Sequence, residues 1–95
     1  MASSKEAELK QRSLKELQQI PGVGKSIAMD LWNIGIKNIS DLKGKSPEKL
    51  YDASNTFAGG IQDRCLLYVF RCAVYFASNQ KHDAQKLLWW NWKEK

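Results

Sequence analysis

The chain has 95 residues, with 15 lysines and arginines against 10 aspartates and glutamates, which leaves room for one compact domain of formal charge +5. Hydrophobic residues make up 43% and there are two prolines, a composition that excludes long intrinsic disorder. A chain of this size buries roughly 60–65% of its unfolded surface, so neither a metal nor a disulfide is required to hold it. The basic excess is spread along the chain, which allows a polyanionic partner without demanding one.

Residues 1–8 are expected to fray, and residues 9–95 to form a single domain. The start, Met1-Ala2-Ser3-Ser4-Lys5-Glu6, lacks the apolar core of a signal peptide, so a cytoplasmic location is expected, with Cys65 and Cys72 as thiols. Ser3 and Ser4 are candidate N-caps for a first helix in which Leu9, Leu14, Leu17 and Ile20 recur at near-helical intervals. Pro21 should end it at Gln19 or Ile20. After Pro21-Gly22-Val23-Gly24, the residues Val23, Ile27, Leu31 and Ile34 fall within roughly 80° of one another, predicting a helix from Lys25 to Ile34. Gly35 is placed to terminate that helix, with Ile36 packing back on its last turn.

A short helix over Ser40 to Lys43 follows. Ser46 as cap and Pro47 as first helical residue open another, to about Ser54. Gly59-Gly60 breaks the chain before the longest predicted helix, Ile61 to Ala77. Its apolar run from Cys65 is interrupted by Arg71 and is shorter than the roughly 20 residues that span a bilayer, so it reads as a buried helix and no membrane partner is expected. A last helix, 83–92, carries Leu87, Leu88, Trp89, Trp90 and Trp92. The expected fold is all-α, compact, with five to six helices.

The constellation Leu17-x-x-Ile20-Pro21-Gly22-Val23-Gly24-x-x-x-Ala28-x-x-Leu31 resembles the helix-hairpin-helix motif of DNA repair and replication proteins. Pro21 ends one helix, Gly22 and Gly24 allow positive φ and leave backbone N–H groups uncovered, and Ala28 lets two helices cross closely. The open N-terminus of the second helix suits a phosphate oxygen, with Lys25 adding charge and Ser26 a hydroxyl. The resemblance implies that Gly22, Val23, Gly24, Lys25 and Ser26 touch DNA backbone without reading bases; the alternative is a tight turn that serves only as scaffold.

Residues 35–58 look like the connector of tandem helix-hairpin-helix (SAM-like) domains. It would join a first hairpin at about 14–34 to a second at 59–78. Gly59-Gly60-Ile61-Gln62-Asp63 departs from the pattern, lacking alternating glycines and placing Asp63 where a lysine would help hold phosphate, so this second hairpin is expected to be degenerate and structural. From Leu17 to Trp92 the chain also resembles small bacterial pathogenicity-locus or mitomycin-resistance helix-hairpin-helix proteins. The stretches that carry this are Ile20 to Ala28, Asp63 to Ala77, and Leu88-Trp89-Trp90-Asn91-Trp92. That resemblance implies a link to DNA and no transferable reaction.

Arg64, Tyr68, Arg71 and Tyr75 fall on one strip of the long helix about 60° wide. The strip is either a second binding surface, for phosphate, an aromatic group or a partner's carboxylates, or an internal one, with the arginines paired to Asp52, Asp63 or Asp83 and the tyrosines beneath the tryptophans. Cys65 and Cys72 stand about 10.5 Å apart along the helix axis, beyond the roughly 7 Å reach of a disulfide, and are expected to be buried apolar residues. With His82, expected to be a solvated loop residue, they cannot make one zinc tetrahedron.

No metal site, catalytic constellation or cofactor fingerprint is found, and the chain reads as a non-enzyme with no cofactor. The leading expectation is DNA-backbone binding without sequence preference. Its rivals are a protein-interaction adaptor using the Arg64 strip or the terminal tryptophans, and a sensor of small ligands or redox state through Cys65 and Cys72.

Overall fold

Residues 2–93 are described in the computed structural model, as four α-helices and three 3-10 turns with no strand among them. The first helix, α1, spans Ala2–Leu17, so helical backbone runs through the residues 2–8 expected to fray. It is already helical at Ser3 and Ser4; the capping side chains predicted there lie outside the described ones, as do Met1, Glu94 and Lys95. In the second half of α1 Leu14 and Leu17 are buried, whereas Leu9 is 58% exposed. The helix stops at Leu17, two or three residues earlier than expected, because its last turn tightens into i→i−3 bonds. Gln19 N donates to Glu16 O at 3.0 Å and Ile20 N to Leu17 O at 3.1 Å, as the chain prepares for Pro21.

Helix α2, Lys25–Asn33, buries Ala28 and Leu31 against α1. Beyond it Gly35 has φ 90°, and Ile36 N returns to Leu31 O at 2.9 Å with its side chain buried, as the sequence predicts. A 3-10 turn at Ile39–Leu42 stands where the short helix was expected. It is closed by a reciprocal Asn38–Asp41 capping box, and Ile39 N donates to Glu16 on α1 at 2.6 Å.

Helix α3, Pro47–Ala58, starts on the Ser46 cap and runs four residues further than expected. Helix α4, Cys65–Ser78, starts four residues later than expected because residues 61–64 are tied to α3 rather than coiled. Gln62 N donates to Asn55 Oδ1 at 2.9 Å, Gln62 Nε2 to Ser54 Oγ at 2.8 Å, and Tyr51 Oη to Gln62 O at 2.6 Å. Ile61, placed by sequence at the head of a buried helix, is instead 90% exposed.

The largest departure is at the C-terminus. The continuous helix expected over 83–92 is two 3-10 turns, Ala84–Leu87 and Trp89–Trp92, parted by an extended Leu88 (φ −90°, ψ 109°). Side chains take carbonyls that an α-helix would use: Gln85 O accepts from Asn91 Nδ2 at 2.8 Å, and Lys86 O from Trp92 Nε1 at 2.7 Å. Four α-helices therefore stand where five to six helices were expected. One core, centred on Leu17, Leu31, Leu42 and Phe70, serves the whole chain, and the radius of gyration, 13.3 Å, is that of a compact chain this long. Among the described residues no helix is long and apolar enough to cross a membrane.

Candidate functional site

The turn between α1 and α2 is built from local rules. Val23 N bonds to Ile20 O at 3.0 Å, closing a four-residue turn with Pro21 second and Gly22 third. Gly22 has φ 86°, the conformation that a type II turn demands of its third residue. A second constraint bears on it from outside, since a Cβ there would stand 3.0 Å from Trp89 Cδ1. Val23 is buried and anchors the turn to the core.

Gly24 corrects the sequence expectation. Its φ is −92° and its ψ −171°, ordinary extended backbone, and nothing lies within 4 Å of a Cβ built on it. Glycine at this position meets no conformational need of the turn. Gly24 is the N-cap of α2, and no side chain caps that end. Among the described residues the N–H groups of Gly24, Lys25, Ser26 and Ile27 have no protein acceptor, and Gly22, Gly24, Lys25 and Ser26 are all exposed. The result is a set of unclaimed donors at the positive end of a helix dipole, with an ammonium and a hydroxyl beside them, an arrangement suited to an oxyanion.

The corresponding end of α4 is closed. Asp63 Oδ1 accepts from Cys65 N at 2.9 Å, a bond that holds the Asp63 carboxyl below its usual range. A carboxylate thus sits where an anion would have to bind.

The other sequence candidates are dispersed or engaged. Arg71 Nε lies 3.2 Å from Glu48 Oε2 and its Nη1 donates to Trp92 O at 2.8 Å, so Glu48, an acidic partner outside the three aspartates expected, holds it. The Tyr75 hydroxyl accepts from Asp83 N at 2.8 Å, and its ring meets Trp92 at 5.6 Å between centroids. Tyr68 is half-buried, with the Arg71 guanidinium 5.7 Å from its ring, and Arg64 is exposed ahead of α4. His82 is no solvated loop residue: it stacks on Phe76 at 4.6 Å and 8°, and its Nε2 is 2.8 Å from Phe76 O.

The cysteines divide. Cys72 is buried as expected, and its Sγ faces three carbonyls, Leu87 O at 3.4 Å, Lys86 O at 3.5 Å and Pro21 O at 3.9 Å, so it joins the α1–α2 turn to the C-terminal segment. Burial pushes its thiol pKa up. Cys65, expected in the core, is exposed because the late start of α4 leaves it at the helix end; its hydrogen bond with Asp63 also raises its pKa. A thiol reagent should therefore titrate one cysteine in the native protein, slowly, and two in denaturant. Two native equivalents would mean that Cys72 is not sealed by the C-terminal segment.

The sequence missed that segment's role beside the turn, since nothing in Leu88-Trp89-Trp90 announces that Trp89 lies against Gly22. Trp89 and Gly22 flank an open hollow of about 360 Å³ with Ile27, Leu66 and Cys65 in its wall. Asp30 lines it too, its carboxyl pKa raised by partial burial. Among the described residues no group of three histidine, cysteine, aspartate or glutamate side chains is arranged to hold a metal ion.

A family model described as Cdd1, pathogenicity locus, matches residues 10–95. The chain belongs to that family. The matched residues include both the α1–α2 turn and the tryptophan segment seated on it. No curated protein and no solved structure matches the chain.

Proposed function

We propose that this Cdd1 protein is a cytoplasmic, non-enzymatic helix-hairpin-helix domain that binds DNA through the phosphate backbone at its first hairpin. The supporting observation is the contrast between two helix starts in one chain: α2 opens with exposed N–H groups that no side chain takes, while ahead of α4 the Asp63 carboxylate takes Cys65 N and occupies the place of an anion. A glycine N-cap forgoes only a few tenths of a kcal/mol relative to a serine or aspartate cap, and it leaves the donors free for a ligand. In this reading Gly22 and Gly24 keep the backbone approachable, Val23 anchors the loop, Lys25 brings charge and Ser26 a hydroxyl. The degenerate second hairpin supports the first by packing.

Backbone contact carries no sequence preference. One hairpin reaching about two or three phosphates predicts a log–log salt slope of roughly −2 to −3 and micromolar or weaker affinity. Lys25→Ala should weaken binding to every duplex alike and reduce the slope by about one unit, measured by titrating labelled DNA at several salt concentrations. Lys25 is exposed, so the variant should melt as the parent does. A folded Lys25→Ala protein that binds like the parent would leave the hairpin as scaffold. Two observations count against the rivals. Arg71 and Tyr75 are already bonded within the chain, which takes the centre out of an adaptor surface, and Cys72 lies buried among carbonyls, which disfavours a thiol sensor.

A further inference from the structure

Around the exposed Leu9, α1 turns an unoccupied face to solvent: Lys5, Glu6, Ala7, Glu8, Gln11 and Arg12 are exposed as well. Leu9 borders an open hollow of about 500 Å³, whose other walls are Glu6, Ser13, Trp32 and Lys37. The Trp32 indole in that wall carries the Lys37 ammonium 4.1 Å from its ring centroid. The charges beside Leu9 change sign at it. Glu6 and Glu8 stand three and one residues before it, Lys10 and Arg12 one and three residues after. Among the described residues none of these four is ion-paired within the chain, although Glu6–Lys10 and Glu8–Arg12 have the i, i+4 spacing that allows it.

A charge order that reverses at its midpoint is complementary to itself in one orientation. When two copies of α1 lie antiparallel and cross at Leu9, residues equally far before and after Leu9 stand level, so the acidic half of each copy faces the basic half of the other. Parallel copies would set like against like. We infer that α1 is a self-association surface: two copies of this chain pair antiparallel through residues 6–13, each Leu9 entering the partner's Trp32 hollow, with acid against base on either side. The two-fold axis repeats every contact, so one small patch serves twice. About two helical turns a side make a small interface, and the dimer is weak and reversible, with a dissociation constant on the order of 100 µM. No residue of the α1–α2 turn takes part, so the inference is independent of the phosphate reading.

The test is sedimentation equilibrium of the full chain without DNA, from about 10 to 500 µM. The mean mass should rise from monomer toward dimer, and less so at high salt. Leu9→Ala should weaken the dimer about ten-fold or more, since two leucines leave the interface, and should melt as the parent does when dilute because the side chain is exposed. The double variants Glu6→Lys with Glu8→Lys, and Lys10→Glu with Arg12→Glu, should each be monomeric, because like charges then face each other in the antiparallel pair. They move the net charge in opposite directions, so a general charge effect would weaken one dimer and strengthen the other. An equimolar mixture of the two should dimerise with about the parent's affinity, since acid again faces base. A parent that stays monomeric up to about 500 µM overturns the inference. So does a dimer that Leu9→Ala and the two reversals leave undiminished, or a mixture of folded variants that stays monomeric.

Discussion

Gly24→Asp should stabilise the protein and abolish DNA binding. Gly24 already has the extended backbone of an N-cap, and a Cβ there meets nothing within 4 Å, so the substitution brings no strain. The new carboxylate accepts from the N–H groups of Ser26 or Ile27 and lies at the positive end of the α2 dipole. Together these contribute about 0.5 kcal/mol, or a melting temperature higher by about 2–4 °C. For a phosphate the same change removes a donor and adds a like charge, so affinity should fall about a hundred-fold or more. Gly24→Asn separates the two effects, capping without charge: it should gain less stability than the aspartate and lose less binding. Opposite signs for stability and affinity cannot arise from misfolding. Calorimetry together with duplex titration checks both, and undiminished binding in the Asp variant would remove the start of α2 from the interface.

The same Gly24 shows where the sequence is legible and where it is not. The Pro21-Gly22-Val23-Gly24 run announces a turn between two helices, and the period of Val23, Ile27, Leu31 and Ile34 announces which face of α2 is buried, because both depend on neighbours within one or two helical turns. Which glycine needs its freedom is not local: Gly22 takes the positive φ and also faces Trp89, sixty-seven residues on. Cys65 and Ile61 were misplaced for a related reason. Their apolar character fits a buried helix, but Asn55, Ser54 and Tyr51 on α3 hold Gln62 and delay α4 by a turn, and that competition is tertiary. The C-terminal helix failed in the same way. The run Leu87, Leu88, Trp89, Trp90 and Trp92 was expected on one helix, yet the carbonyls of Gln85 and Lys86 are claimed by Asn91 and Trp92 side chains, and Leu88 extends between two short turns. The all-α class survived these errors because it depends on the summed pattern and not on any one boundary.

Removing residues 88–95 should lower the melting temperature by at least about 12 °C. The segment lies on α4 and on the α1–α2 turn at once: Trp89 covers Gly22, Trp92 packs on Tyr75, and Trp92 O accepts from Arg71 at 2.8 Å. Two half-buried indoles and Leu88 withdraw enough apolar surface to contribute on the order of 3–5 kcal/mol, against a total of about 5–15 kcal/mol for a domain of ordinary stability. In a domain this small each kilocalorie moves the midpoint by about 4–8 °C. The truncation also removes Trp92 O, the acceptor of Arg71 Nη1, while the Arg71–Glu48 pair that remains has its carboxylate more than half exposed and contributes little. Trp90→Ala is the control: the residue belongs to the same segment but is exposed, so its loss should leave the midpoint within about 2 °C of the parent. Native thiol titration gives a second measure, since the truncated chain opens the region around Cys72 and should raise the native count from one to two. A truncated protein that melts with the parent and still hides Cys72 would show that the turn stands without its tryptophan cover.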